Sequence, residues 1–265
     1  MISFCNQTYN EADGIDRYLH SCLHFEGIVD QVHVVDHRST DGTHYILDSY
    51  KEKYDQAGIK LTTRFESRDF SKDFLIADLF GDTVSDCDNE IVFRHDADFI
   101  LGPGFKHVIN KSLHCLERDD TYAVGYEIPC VGGSITIKDS RVIQYGFCNI
   151  HSPVPRVFKK SKTVCKQKHF GGKYEFFYPT DSACDRWAEF PYVEHSLLSV
   201  NIKSKKRMKQ RETMNMYMKD IVNGIDHSNW MDCDNLVGEV EPQNKPSLNS
   251  FNIYEHMVFF SDLNL

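Results

Sequence analysis

Several devices for binding nucleotides are missing from this sequence. No Gly-x-Gly-x-x-Gly follows the first predicted strand, and no glycine-rich loop ends in Lys-Ser or Lys-Thr. Such glycines let backbone N–H groups close on phosphate, so a dinucleotide oxidoreductase and a P-loop enzyme are disfavoured. The nine cysteines are scattered, and no two have Cys-x-x-Cys spacing. That removes a zinc clip and a dense disulfide framework, and points to a reducing compartment. Positive charge is not in excess either. Thirty Lys and Arg stand against 39 Asp and Glu, a net charge of −9, whereas nucleic-acid-binding domains are usually basic. No apolar run approaches the ~18 residues of a transmembrane helix. The N-terminus lacks a basic start followed by a long apolar run, so no signal peptide is read there. The expectation is a soluble, cytoplasmic protein without a transmembrane segment and without a nucleic-acid partner.

What is present is an alternation of strand and helix. The chain has 265 residues, 41 % of them hydrophobic, enough for one large α/β domain with an elaboration. Residues 2–8 read as a strand, and a helix follows from Asn10, which is placed as its N-cap. Val32, Val34 and Val35 make a second strand that ends at Asp36. Ser39 to Asp41 cap the next helix, 60–65 make a third strand, and Ser71 to Val84 make a helix. This order is the signature of a parallel sheet with helices on its faces. Right-handed crossovers bring the strand ends at Thr8, Asp36 and Asp96 to one rim. In open α/β sheets that edge is where ligands bind.

The stretch Glu90-Ile91-Val92-Phe93-Arg94-His95-Asp96-Ala97-Asp98-Phe99 centres the reading. Its apolar run predicts a buried strand ending in two carboxylates one residue apart. Extended chain places Asp96 and Asp98 on one face. Their repulsion is relieved by a divalent cation, and a hard cation on one or two carboxylates is a means of holding a diphosphate. Two other Asp-x-Asp triplets, at 86–88 and 232–234, follow no such run and read as solvated loops.

Four segments together resemble a family-2 glycosyltransferase of the GT-A fold. They are Asn10-Glu11 after the first strand, Val34-Val35-Asp36-His37-Arg38-Ser39-Thr40-Asp41-Gly42-Thr43, Asp69-Phe70-Ser71-Lys72-Asp73-Phe74, and Asp96-Ala97-Asp98. Order and spacing agree over about residues 1–110. The resemblance implies a Rossmann-like, mostly parallel central sheet flanked by helices, a mixed β region on the acceptor side and a C-terminal helical extension. It implies a nucleotide-sugar donor contacted by Thr8, Asn10, Glu11, Asp36, Arg38, Asp41, Lys72 and Asp96, with Asp36 on the base. It implies Mn2+ or Mg2+ held by Asp98 with Asp96. Lys72 stands where relatives carry Arg, and is either a phosphate contact or a solvated lysine. His37 and Arg38 either narrow the base pocket or are exposed turn residues.

A helix is read over 104–117 and short strands over 122–128, 134–137 and 141–145. Pro155-Arg156-Val157-Phe158-Lys159 and Phe170-Gly171-Gly172-Lys173-Tyr174-Glu175 resemble a family segment, with Tyr174 in place of its usual His. The resemblance implies an inverting transfer to a glycan or other hydroxyl, and a general base on the acceptor. Glu175 is the first candidate, Asp181 and Asp185 the next; a structural carboxylate is the other reading of Glu175. Tyr192 to His195 reads as a strand and is followed by a basic helix from about Ile202. In relatives a His in this context can complete the metal shell, which implies His195; a structural histidine is the other reading. The expected division is a donor half over 1–110, an acceptor-side half over 111–223 and an extension over 224–265. Two rivals stay open: a sugar nucleotidyltransferase, and a non-catalytic module that holds a nucleotide sugar or glycan.

Overall fold

Short apolar runs, each too hydrophobic to face water, set the centre of the sheet. In the computed structural model residues 1–71, 73–138, 141–170, 173–182 and 185–204 are described. In chain order the elements are β1 (Ile2–Thr8), α1 (Ala12–Cys22), β2 (Gln31–Asp36), α2 (Thr43–Gln56), β3 (Lys60–Phe65), α3 (Ile76–Ser85), β4 (Ile91–Asp96) and β5 (Phe99–Leu101). Then follow α4 (Phe105–Leu116), β6 (Thr121–Lys138), β7 (Arg141–Lys159), β8 (Thr163–Phe170), β9 (Lys173–Pro179), β10 (Arg186–Phe190) and β11 (Leu197–Ser204).

Among the described residues nine strands form one sheet in the order β3-β2-β1-β4-β7-β6-β11-β5, with β10 also on β6. The first four strands run parallel, as crossover helices require. β7 is antiparallel to both β4 and β6, and β11 runs parallel to β6 and antiparallel to β5. β8 and β9 form a separate antiparallel hairpin.

Alternation along the strands gives the sheet two apolar faces. On one, Phe4, Val34, Phe93 and Tyr126 pack against Tyr18 of α1, Leu47 of α2 and Phe105 of α4. Burying each such phenylalanine is worth about 2–3 kcal/mol. On the other, Cys5, Val92 and Phe158 pack against Val84 of α3 and Phe177 of the hairpin. The outer strand β3 is half-exposed and tied to the segment after α3. Lys60 Nζ meets Asp88 Oδ2 at 2.7 Å, and Arg64 Nε meets Asp86 Oδ2 at 2.8 Å.

Several expectations are corrected here. The third helix begins at Ile76, not Ser71, because Ser71 and Phe74 first close a tight turn through a Ser71 N–H bond to the Phe74 carbonyl at 2.9 Å. The short strands expected over 122–145 are parts of two long strands, β6 and β7. Residues 194–195 form a turn, and residues 197–204, where a basic helix was expected to begin, are strand β11. The remainder of that basic segment, and 224–265, lie outside the described residues.

Candidate functional site

The parallel register sets the rim directly. Thr8 pairs with Asp36, Gln7 with Asp96, and Asp36 with Phe65. Thr8, Asp36 and Asp96 therefore end adjacent strands within one residue of each other, as expected from the chain order, with Asp96 on the opposite face from Thr8 and Asp36.

Two buried oxygens there lack partners. Asp36 is 3 % exposed, and so is Thr8. Asp36 Oδ1 accepts the Ser39 N–H at 3.2 Å, while Asp36 Oδ2 and Thr8 Oγ1 have no hydrogen-bond partner. Burial raises the Asp36 carboxyl above its ordinary range, against the opposing hydrogen bonds of Ser39. An unmet buried carboxylate oxygen costs free energy in the absence of a donor. It marks the place where a ligand N–H would be accepted.

The loops after β1 and β2 are laced together. α1 starts at Ala12, so Glu11 and not Asn10 holds the N-cap position, and Asn10 turns the chain before it with a φ of 50°. Asn10 N–H donates to Ser39 Oγ at 2.8 Å, and Asn10 Oδ1 accepts the Thr40 N–H at 2.7 Å. Asp41 accepts the Ala12 N–H at 3.0 Å on one oxygen, and the Thr43 N–H (3.1 Å) and hydroxyl (2.6 Å) on the other. Glu11 N–H donates to Thr43 Oγ1 at 3.3 Å. Asn10 and Asp41 thus fix loop geometry, with their acceptor oxygens turned to backbone.

His37 is buried rather than an exposed turn residue. Its Nε2 lies 2.8 Å from the Arg68 carbonyl, and its ring lies 4.5 Å from that of Phe70. Arg38, with a φ of 60°, is ion-paired with Asp69. Both clamp the segment after β3 to the end of β2. Lys72 of that segment lies outside the described residues.

β4 ends at Asp96, and Ala97 and Asp98 form a turn, so the two carboxylates do not share a face by strand alternation. Gly14 lets α1 pack on this turn. A Cβ there would stand 2.8 Å from the Ala97 carbonyl oxygen. Asp96 is held by two arginines that the sequence reading did not single out as site residues. Arg94 Nη2 donates to Oδ1 at 3.2 Å, and Arg156 Nη2 lies 3.0 Å from Oδ2. The Arg94 and Arg156 side chains are 8 % and 11 % exposed, against 38 % for Asp96. The Arg94 guanidinium also lies 4.0 Å from the Phe80 ring centroid, and that of Arg156 lies 4.9 Å from Phe99.

This charge arrangement decides how a cation fits. Both Asp96 oxygens face guanidinium groups, which disfavours Asp96 as a metal ligand. Asp98 is a half-buried carboxylate in the turn. One carboxylate is what a magnesium- or manganese-type ion needs when a diphosphate supplies further oxygens. Among the described residues no three His, Cys, Asp or Glu side chains converge on a metal position. Asp98 would offer a cation one carboxylate, and it also lies within the charge field of Arg156.

The structure does not bring His195 to that turn. Asp98 precedes β5 at one end, while Gly102 and Gly104, past its other end, donate to the Ser196 and His195 carbonyls at 2.8 and 3.0 Å. Extended chain from Asp98 to Gly102 covers roughly 13 Å of backbone. Asp181 and Asp185 are also remote. Thr180 N–H donates to the Lys162 carbonyl, Arg186 N–H to the Asp120 carbonyl, and Lys160 N–H to the Glu90 carbonyl just before β4. Both aspartates sit near the amino end of β4, roughly 16–20 Å from the rim. Glu175 lies on β9, opposite Gln167 of β8, and its side chain is not among those described. Phe177, two residues from it, approaches the Arg94 guanidinium at 5.9 Å, and Glu175 lies nearer the hairpin tip.

Residues 3–141, more than half of the chain, match the family profile described as Glycosyl transferase family 2. The chain belongs to glycosyltransferase family 2. The mixed α/β sheet, mostly of parallel pairs, agrees with the expectation of a GT-A fold.

Solved structures similar to this family-2 chain include S. aureus TarS, at 13 % identity over 86 % of this chain and 66 % of that one, with a TM-score of 0.47. A mannosyltransferase from Pyrobaculum calidifontis, in complex with GDP-Man and manganese, is 18 % identical over 86 % and 65 %, with a TM-score of 0.44. Glucosyl-3-phosphoglycerate synthase from Mycobacterium tuberculosis, in complex with manganese, UDP and glucosyl-3-phosphoglycerate, is 14 % identical over 86 % and 81 %, with a TM-score of 0.45. The chain spans 36 % of a TarS structure in complex with UDP-GlcNAc and 66 % of another. No curated protein matches it.

Proposed function

We propose that this chain is a metal-dependent, inverting glycosyltransferase that moves a sugar from a nucleotide-diphosphate sugar to an acceptor hydroxyl. The observation that carries the reading is the pair of buried, partnerless oxygens on Thr8 and Asp36, within one residue of the level of Asp96 at the carboxyl edge of a family-2 sheet. Asp36 accepts an N–H of the base, and Thr8 offers a hydroxyl beside it. Glu11 and the backbone laced by Asn10 and Asp41 wall the nucleoside. Asp96, held in place by Arg94 and Arg156, faces the ribose. Asp98 holds magnesium or manganese, which when bound neutralises charge on the leaving diphosphate.

The acceptor hydroxyl gives its proton to a carboxylate, for which Glu175 is the candidate that lies rimward. Its oxygen bonds to the anomeric carbon as the bond from that carbon to the diphosphate oxygen breaks on the opposite face. The configuration therefore inverts. Residues 1–110 form the donor half and 111–223 the acceptor side. Cys5, Cys22, Cys87, Cys115, Cys130 and Cys165 are free thiols, which suits the cytoplasm.

The test is a calorimetric titration with UDP-, GDP-, dTDP- and CMP-linked sugars, each with manganese and with chelator. Binding of one base class that is lost with chelator, weakened by Asp36→Asn and abolished by Asp98→Ala supports the reading. Binding that survives Asp98→Ala with manganese present refutes the metal assignment. Absence of any binding at millimolar donor refutes the function.

A further inference from the structure

The described surface exposes few large apolar side chains. They are Met1 (90 %), Tyr45 (72 %) and Phe65 (62 %). Tyr45 already lies against His44, with 3.9 Å between ring centroids. Phe65 is different in position. It ends β3, the outer strand of the sheet, and its register partner is Asp36.

Partners in a parallel register point to the same face of the sheet. On β3 that face also carries Leu61, which packs against the core with Val34 of β2. The opposite face of β3 carries Lys60 and Arg64, paired with Asp88 and Asp86. Phe65 therefore stands beside the Asp36 carboxylate, about one strand spacing of 4.8 Å away. A flat ring bonded edge-on to Asp36 would extend alongside Phe65.

The backbone at this point is fixed. Glu66 N–H donates to the Asp36 carbonyl at 2.8 Å. The Glu66 carboxylate is only 5 % exposed and bonds Arg64 at 2.7 Å and Arg68 at 2.6 Å. The phenyl ring is thus presented to solvent from an anchored strand end, next to a buried acceptor that has no partner.

We infer that Phe65 is the stacking platform for the nucleobase of the donor, and so a determinant of base affinity in this site. The inference rests on the donor-binding reading proposed above. Aromatic stacking on a base is tolerant of base identity, so Asp36 and Thr8 select the base edge while Phe65 supplies affinity common to all bases.

The experiment uses the full chain with manganese and three probes: UDP, GDP and inorganic pyrophosphate. Phe65→Ala is expected to weaken the nucleoside diphosphate that the unmodified protein binds by about tenfold, the range for loss of one stacked base. It should leave pyrophosphate binding and the melting temperature unchanged, because the side chain is already largely in water. Phe65→Trp should restore or tighten nucleotide binding. If Phe65→Ala binds the nucleoside diphosphate as tightly as the unmodified protein while Asp36→Asn weakens it, the platform assignment is wrong and the donor site stands. An equal loss with pyrophosphate also overturns it, since the effect would not involve the base. If the unmodified protein binds neither nucleoside diphosphate, the donor-site reading itself falls.

Discussion

Replacing Asp96 by Asn separates two readings of the Asp-x-Asp turn. If Asp96 and Asp98 were chiefly a carboxylate pair awaiting a cation, removing one charge would relieve repulsion and leave the metal-free protein equally or more stable. The structure argues the opposite sign. Asp96 is the counter-charge for Arg94 and Arg156, which are 8 % and 11 % exposed. An asparagine offers one acceptor oxygen and turns its amide N–H groups toward the second guanidinium. Breaking a buried ion pair from one side typically costs about 3–5 kcal/mol. Asp96 itself is 38 % exposed and water screens it, so the lower end applies, about 3 kcal/mol. For a chain of this size that corresponds to a fall of about 6–12 °C in melting temperature. The assay is thermal and urea unfolding in chelator, with Asp98→Asn as the comparison, for which a smaller loss is expected. An Asp96→Asn protein as stable as the parent, or more so, would refute the clamp.

Other expectations follow from single contacts. Gly14→Ala drives a Cβ to within 2.8 Å of the Ala97 carbonyl, so it should cost about 1–3 kcal/mol and weaken metal-dependent donor binding by displacing the Asp98 turn; denaturant melts and calorimetry check both. Asp41→Ala removes acceptors from Ala12 and Thr43 and should cost about 1–2 kcal/mol in the same melts, with no change in metal affinity. His95 is buried and its pKa is lowered from 6.5 to about 3, first by burial and then by Arg156. The unfolded chain therefore takes up a proton that the folded one refuses, and stability falls as pH drops below 6.5, by up to about 1.4 kcal/mol per unit. Glu66, lowered from 4.5 to about 2 chiefly by its hydrogen bond from Arg68, adds a loss of the same sign only below 4.5. His95→Gln should flatten the fall between pH 6.5 and 4.5, as read by urea midpoints; an unchanged slope would refute this account.

The first 110 residues were readable because their signals are local. Strands β1 to β4 are apolar runs bounded by polar loops, and their alternation with helices dictates a parallel order. That order alone placed Thr8, Asp36 and Asp96 on one rim. What escaped was set by distant pairing. A basic helix was expected from about Ile202, but residues 199–204 pair with 130–135 of β6, and over those residues the sheet prevails over propensity. The strands expected over 122–128 and 134–137 are one, because Gly132 and Gly133 continue β6 against Phe147 and Gly146 of β7. Arg156, 60 positions along the chain from Asp96, meets it only because β7 returns beside β4, which no local pattern encodes. Asp181 and Asp185 looked close to Glu175 in sequence, but the hairpin β8–β9 carries them to the other end of the sheet.

The charged outer face of β3 also bears on how these molecules behave toward one another. An unpaired strand edge is a template on which a second chain can add. Here a visiting strand would have to work around Lys60 and Arg64, both already engaged with Asp88 and Asp86 from the segment after α3. β5, at the other end of the strand order, is three residues long and gives little purchase. Among the described residues the sheet thus ends on one side in fixed charge and on the other in brevity. Replacing Lys60 and Arg64 together by valine would leave an apolar edge beside exposed Phe65, and concentration-dependent aggregation is the outcome to look for.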